Sequence, residues 1–109
     1  MLKIVKANNR HRYIGFIIKS NNNIFIDRDD LINELKSNCK LLFNRDFKDL
    51  GLRLIRFNYL NGIVKCNHIE KDNTIKLLTS IKNVSNINIE IETLGTSGTI
   101  KGLIKKHMS

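Results

Sequence analysis

Two β-prone runs, Leu52–Leu60 and Ile63–Ile69, flank the dipeptide Asn61-Gly62, and no other stretch restricts the fold so tightly. Asn-Gly readily takes the positive φ angles of a primed turn, so the segment predicts an antiparallel hairpin closed by two residues. That turn pairs Leu60 with Ile63, Tyr59 with Val64, Asn58 with Lys65, Phe57 with Cys66, Arg56 with Asn67 and Ile55 with His68. Opposite residues share a face of the sheet. One face then gathers Ile55, Phe57, Tyr59, Val64 and Cys66 and belongs to the core. The other gathers Arg56, Asn58, Lys65 and Asn67, which is polar and basic.

Around this hairpin the periodicity sets out a compact alternation. Arg12–Lys19 is β-branched and aromatic, bounded by Ser20 and Asn21-Asn22-Asn23, and predicts a strand. Asp27, Asp29 and Asp30 then precede Leu31, Ile32, Leu35, Cys39 and Leu42 at helical spacing. The carboxylates are expected to cap and complement the helix start rather than bind metal. Asp46–Gly51 suggests a short helical turn. Glu70–Val84 predicts a second helix through Ile75, Leu77, Leu78 and Ile81, and Ile87–Glu92 alternates as an edge or half-exposed strand does. Ile100, Leu103, Ile104 and His107 fall at i, i+3, i+4 and i+7, the mark of a short terminal helix.

The order β-α-β-β-α-β predicts a ferredoxin-like, RRM-like α/β (α+β) sandwich: one domain, a four-stranded antiparallel sheet and a short C-terminal helix. The first strand is apolar on both sides, with Tyr13 and Ile17 one way and Ile14, Phe16 and Ile18 the other. A strand of that kind needs cover on both faces, and the terminal helix is expected to supply the second.

Charge narrows the function. At 109 residues with formal net charge +9, the chain is strongly basic for one domain. Residues 1–12 carry Lys3, Lys6, Arg10 and Arg12, and residues 94–109 carry Lys101, Lys105 and Lys106, neither stretch holding an acid. Leu50–Ile69 is also acid-free and holds Arg53, Arg56 and Lys65. Two uncompensated basic ends point to a polyanionic partner. With the outward face of the hairpin they give the expected contacts to that polyanion: Arg10, Arg12, Arg56, Lys65, Lys101, Lys105 and Lys106.

Other chemistries find little support. Cys39 and Cys66 lie in unlike contexts without a CxxC and are expected to be reduced, buried hydrophobes. No acid pair, nucleophile–His pair or metal cluster emerges, and no apolar run is long enough for a membrane helix. The start Met1-Leu2-Lys3-Ile4-Val5-Lys6 is too polar for a signal peptide, which leads to a cytoplasmic expectation. The predicted third strand, Gly62–Asn67, lacks the base-stacking aromatics of an RNA-recognition motif. Gly95–Thr99 could cradle a phosphate through its amides or could be a turn with an N-cap from Ser97 or Thr99.

Three motifs taken together resemble the archaeal ribonuclease P protein component 2 family. They are Arg12-Tyr13-Ile14-Gly15-Phe16, Gly51–Phe57 running into Asn61–Cys66, and above all Thr96-Ser97-Gly98-Thr99-Ile100-Lys101. The resemblance spans nearly the whole chain and implies a ferredoxin-like sandwich without stacking aromatics. It also implies a subunit of the ribonucleoprotein that cleaves 5′ leaders from precursor tRNA. The expected partners are ribonuclease P RNA, precursor tRNA and the TIM-barrel subunit, protein component 3, in a heterotetramer built on a homodimer of this subunit. No cofactor is expected on the chain itself, with Mg²⁺ serving the RNA's catalytic centre. The motif Thr96, Ser97, Gly98 and Thr99 is expected to form a loop. A generic basic RNA-binding or ribosome-associated module, and a small phosphoryl-group enzyme on the same fold, are the alternatives.

Overall fold

A computed structural model of the chain describes residues 10–20 and 25–108. Lys3 and Lys6 of the basic N-terminal run, and the Asn21–Asn23 boundary, lie outside the described residues. The elements follow the predicted order. They are β1 (His11–Lys19), α1 (Arg28–Phe43), a 3-10 turn (Phe47–Leu50), β2 (Arg53–Phe57), β3 (Asn61–Asn67), a second 3-10 turn (His68–Glu70) and α2 (Lys71–Ser80). A two-stranded ribbon (β4, Asn83–Val84; β5, Ile87–Asn88), β6 (Glu90–Ser97) and α3 (Ile100–Leu103) complete the chain, α3 running on as a π-type turn over Ile104–Met108. The main sheet is antiparallel with order β2-β3-β1-β6, the ferredoxin-like arrangement, so β1 is central.

Each helix is built for burial on one side. Asp27 caps α1, its carboxylate accepting from the Asp29 N–H at 3.1 Å, and Leu31, Leu35 and Cys39 face the core. Leu42, placed on the apolar stripe by spacing, is instead largely exposed beside the left-handed C-cap Asn44. Leu77 and Leu78 of α2, with Ile81 just beyond it, close over the same sheet face, meeting Ile14, Phe16, Ile18, Leu54, Val64 and Cys66.

The hairpin forms, but with a different turn. Phe57 pairs with Gly62 and Arg56 with Ile63, so the loop is Asn58–Asn61 and Gly62 is a strand residue. The Asn58 carboxamide oxygen accepts from the N–H groups of Leu60 (3.2 Å) and Asn61 (2.9 Å), which closes the loop with Tyr59 at φ +77. Gly62 is needed elsewhere. Phe16 and Phe57 lie opposite it on either side and stack at 6.2 Å between ring centroids. A Cβ there would sit 2.8 Å from Phe16 Cζ and 2.6 Å from the Arg56 carbonyl.

The displacement from the predicted register is four residues at the turn, an even number. The strand period is two, so Phe57, Val64 and Cys66 keep the core side and Arg56 and Lys65 the other. A bulge at Ile55 alters the rest: Leu54 takes the core position expected of Ile55. Tyr59, expected in the core, is 52% exposed on the loop.

Further boundaries move, and the expected strand Ile87–Glu92 is split, with Ile87 and Asn88 in β5 against β4 and β6 beginning only at Glu90. Helix α2 ends at Ser80 rather than Val84, because Asn83–Asn88 folds into its own tight ribbon. Ser85 and Asn86 both take positive φ in the turn, and Asn83 Oδ1 accepts the Asn86 N–H at 3.1 Å. Thr96 and Ser97, expected in a loop, are strand residues paired with Ile14 and Tyr13; only Gly98 and Thr99 turn the chain. A central β1 demands a partner along its length, and β6 continues to meet it.

Terminal helix α3 covers the second face of β1, as its apolar stripe predicts. Leu103 is fully buried and Ile63 nearly so, away from the main core cluster. Gly15 and Gly95 are direct cross-strand partners beneath the helix. A Cβ at Gly15 would lie 2.6 Å from Met108 Sδ, and one at Gly95 would collide with the His107 ring. The helix rests where two side chains are missing.

Arg45 and Glu70 tie the segment after α1 to the start of α2. The guanidinium donates to both carboxylate oxygens at 3.1 and 2.8 Å, and Asn73 donates to the same carboxylate at 2.9 Å. The Arg45 hydrogen bonds hold the Glu70 carboxyl below its ordinary pKa despite the opposing effect of burial.

Two outcomes follow for stability. Gly62→Ala should lower it by roughly 1–3 kcal/mol, the range for overpacking against groups that cannot yield, read from denaturant midpoints; an unchanged midpoint would remove Gly62 as the spacer between the phenylalanines. Because the folded Glu70 pKa is depressed, its contribution is present above the unfolded carboxylate range and disappears as pH falls through the folded value. Glu70→Gln should therefore lower stability near pH 7 and flatten its decline below about pH 4.3, measured by thermal melts across pH 2–7.

Candidate nucleic-acid interface

The seven cations singled out by sequence do not form one cluster. Arg56, on β2, faces the same side of the sheet as α3 and lines an open groove of about 530 Å³ with Ile100, Lys101, Ile104 and Lys105. Helix α3 brings the last two lysines there. Thr99 caps it, its hydroxyl accepting from the Gly102 N–H at 3.0 Å, while Ser97 Oγ accepts from the Thr99 N–H at 3.4 Å. The Gly95–Thr99 segment is thus strand, turn and cap, and Thr96 and Ser97 take up ladder positions rather than forming an amide cradle. With Leu103 anchored beneath, Lys101 and Lys105 are held on the outer side of the helix, exposed. Lys106 is exposed as well but does not line the groove.

The remaining three are placed differently. Lys65 is half-buried on β3, between Arg53 of β2 and Tyr13 of β1. It shares the sheet face of Arg56. Arg12 pairs with Cys66 and by strand alternation lies on the opposite face. Its guanidinium donates to the His11 carbonyl at 3.0 Å and approaches the Gly98 turn, 3.8 Å from where a Cβ there would stand. Arg10 is exposed just ahead of β1, and its carbonyl accepts the His68 N–H at 3.0 Å. The structure therefore joins Arg56 to Lys101 and Lys105, sets Lys65 on the same face, and leaves Arg10 and Arg12 apart from that groove.

A second basic surface was not selected by sequence. Arg28, Lys36, Lys48 and Arg53 line an open groove of about 510 Å³ between α1 and the edge strand β2, over the apolar Ile32 and Leu52. Arg28, Ile32 and Lys36 form an i, i+4, i+8 stripe. That spacing was the available signal, but a charge count along the chain sums these cations with Asp29, Asp30 and Glu34 of the same helix.

Covalent chemistry has little to work with. Cys39 and Cys66 are free and buried, and desolvation pushes both thiols up; for Cys66 the Thr74 hydrogen bond and Arg12 act in the other direction. Among the described residues no group of three or more His, Cys, Asp or Glu could hold a metal ion, and no helix is long and apolar enough to cross a membrane.

Comparison with known proteins identifies the family and the fold. The Rpp14/Pop5 family model matches residues 12–108. Ribonuclease P protein component 2 of Archaeoglobus fulgidus is 35% identical over 99 residues, covering 91% of this chain and 89% of that protein. The proteins of the same name from Methanosarcina barkeri and Methanosarcina mazei are each 26% identical over 91% of this chain, covering 73% and 84% of their own lengths. In the cryo-EM structure of yeast Ribonuclease MRP, one chain superposes with a TM-score of 0.63 at 16% identity, over 84% of this chain and 76% of that one. That last likeness speaks to the fold.

Packing and charge on α3 separate cleanly by substitution. Lys101→Ala/Lys105→Ala/Lys106→Ala should leave the melting temperature essentially unchanged, because exposed charges contribute little to folding. Leu103→Asp should lower it sharply by placing a carboxylate in an apolar site. A lysine variant that melts as early as Leu103→Asp would show the lysines to be structural.

Proposed function

The chain belongs to the Rpp14/Pop5 family and is a protein subunit of ribonuclease P, and from that premise we propose that it works by binding RNA and leaves the chemistry to the RNA. The observation that carries this reading is the groove where Arg56, Lys101 and Lys105 converge over Ile100 and Ile104. Fixed cations along a groove neutralise closely spaced phosphates and release counterions on binding. A catalytic RNA so neutralised folds around its Mg²⁺ at lower salt, and the Mg²⁺ is assigned to that RNA. Lys65 and Lys106 extend the binding surface on the sheet face and the helix, and Arg10 and Arg12 contribute from the start of β1.

Membership in the family implies a ribonucleoprotein assembly. Within it, the proposed partners are ribonuclease P RNA, the precursor tRNA whose 5′ leader is removed, and the TIM-barrel subunit, protein component 3. A homodimer of this chain at the centre of a heterotetramer, in the cytoplasm, completes the proposal. Enzymatic activity belongs to that assembly.

The test is reconstitution. The purified, nuclease-treated chain should cleave no precursor tRNA in Mg²⁺, and cleavage should appear once ribonuclease P RNA and protein component 3 are added. RNA co-purifying with the chain should be, on sequencing, a single species of ribonuclease P RNA. Leader removal by the protein alone would overturn the division of labour, and co-purified ribosomal RNA would redirect the reading to the ribosome.

A further inference from the structure

The two basic grooves have no lining residue in common, but a further cavity shares residues with each. A third open cavity, about 590 Å³, lies between them at the β2–β3 end of the sheet. It shares Arg56 and Ile104 with the groove beside α3, and Arg28 with the groove beside α1. Asn58 and Asn61 also line it. We propose that these three cavities form one continuous track, crossing the outer edge of β2, along which a single RNA strand lies, from Lys101 and Lys105 past Arg56 and Arg28 to Lys36, Lys48 and Arg53.

Charge complementarity selects the occupant. Among the described residues that line the track, Asp46 is the one carboxylate, and it is held by Lys40 at 3.3 Å and engaged in the cap of the 3-10 turn. Among the described residues, Arg28, Lys36, Lys48, Arg53 and Arg56 have no carboxylate at ion-pairing distance, and all five are exposed. Such a row suits a repeating anion whose charges are spaced along a flexible chain. Strand addition by a peptide is a poorer fit, because Arg28 Nη2 donates to the Leu54 carbonyl at 2.6 Å and so takes a main-chain acceptor of the edge strand. The carboxamides of Asn58 and Asn61 at the crossing offer hydrogen bonds to sugar and base edges, although the Asn58 oxygen is already occupied in the turn. The track rests on the ribonuclease P reading and extends it to a surface that none of the predicted α3 cations reaches.

The experiment compares two triple variants with the wild-type chain. Lys36→Ala/Lys48→Ala/Arg53→Ala changes the α1 side, sparing Arg28 and its bond to Leu54; Lys101→Ala/Lys105→Ala/Lys106→Ala changes the α3 side. Melting curves verify that both fold. Affinity for ribonuclease P RNA is titrated across KCl concentrations. Each variant should reduce the slope of log K against log salt by up to about two units, at about 0.7 for each single-strand phosphate no longer neutralised, and the two reductions should add. An α1-side variant with wild-type affinity and slope would end the track at Arg56 and overturn the proposal, leaving the ribonuclease P reading intact. Poly-glutamate that competes as well as poly(U) at equal charge would assign the α1 groove to an acidic protein and overturn it equally. Failure of the wild-type chain to bind the RNA at all would defeat the ribonuclease P reading and the track together.

Discussion

Strand β1 is apolar on both faces, and the rest of the molecule is arranged to keep both dry. Ile14, Phe16 and Ile18 are buried beneath α1 and α2, and the Tyr13, Gly15 and Ile17 side must be covered by something else. Among the described residues the terminal helix is the apolar element that remains. It can approach because Gly15 and Gly95 oppose one another with no side chains between the sheet and Met108 and His107. Helix–sheet packing at that distance converts two absent methyl groups into a docking position.

That docking bears on the proposed RNA contacts. A helix whose Leu103 is anchored in the sheet has little freedom to rotate, so Lys101 and Lys105 are presented at fixed positions beside Arg56. A disordered basic tail would offer the same charge but lose more entropy on binding. Position matters in the same way at the β2–β3 loop. Its closure by Asn58, rather than by the Asn-Gly pair, frees Gly62 to separate Phe16 from Phe57 and leaves Tyr59 outside, against Phe25 at 5.7 Å. β3 offers no aromatics on which bases could stack, and the proposed RNA contacts are accordingly assigned to cations at the sheet's edge and on α3.

The strand and helix periodicities proved reliable where an element's own residues decide its face. Leu31, Leu35 and Cys39, the alternation around Val64 and Cys66, and Leu103 of the α3 stripe behave as their spacing dictates, because burial of apolar area outweighs local preference, whereas Ile100 and Ile104 stay half-buried along an open groove and His107 is exposed. Legibility failed at the boundaries. Val84 reads as helical by spacing, yet Ser85 and Asn86 accept left-handed angles and reverse the chain. Thr96 and Ser97 read as loop by composition, yet the central strand requires a partner and takes them. The Asn-Gly pair reads as a turn, yet its glycine serves instead as a gap between two rings.

What the sequence by itself determined was the order of elements, the fold class, which faces are apolar and the excess of positive charge at the ends, since each of these depends on residues near one another in the chain. It also determined that Arg56 and Lys65 face away from the core, because an error of four residues in register leaves a period of two unchanged. Only the tertiary structure decided which cations meet. Arg56 is separated from Lys101 and Lys105 by more than forty positions, and the charges of Arg28 and Lys36 are masked along the chain by Asp29, Asp30 and Glu34. The sheet order and the docking of α3 bring the first three together, and the packing of α1 beside β2 brings the others within reach of Arg53. Charge is a property of residues, but a binding surface is a property of distances, and distances between remote residues are set by packing.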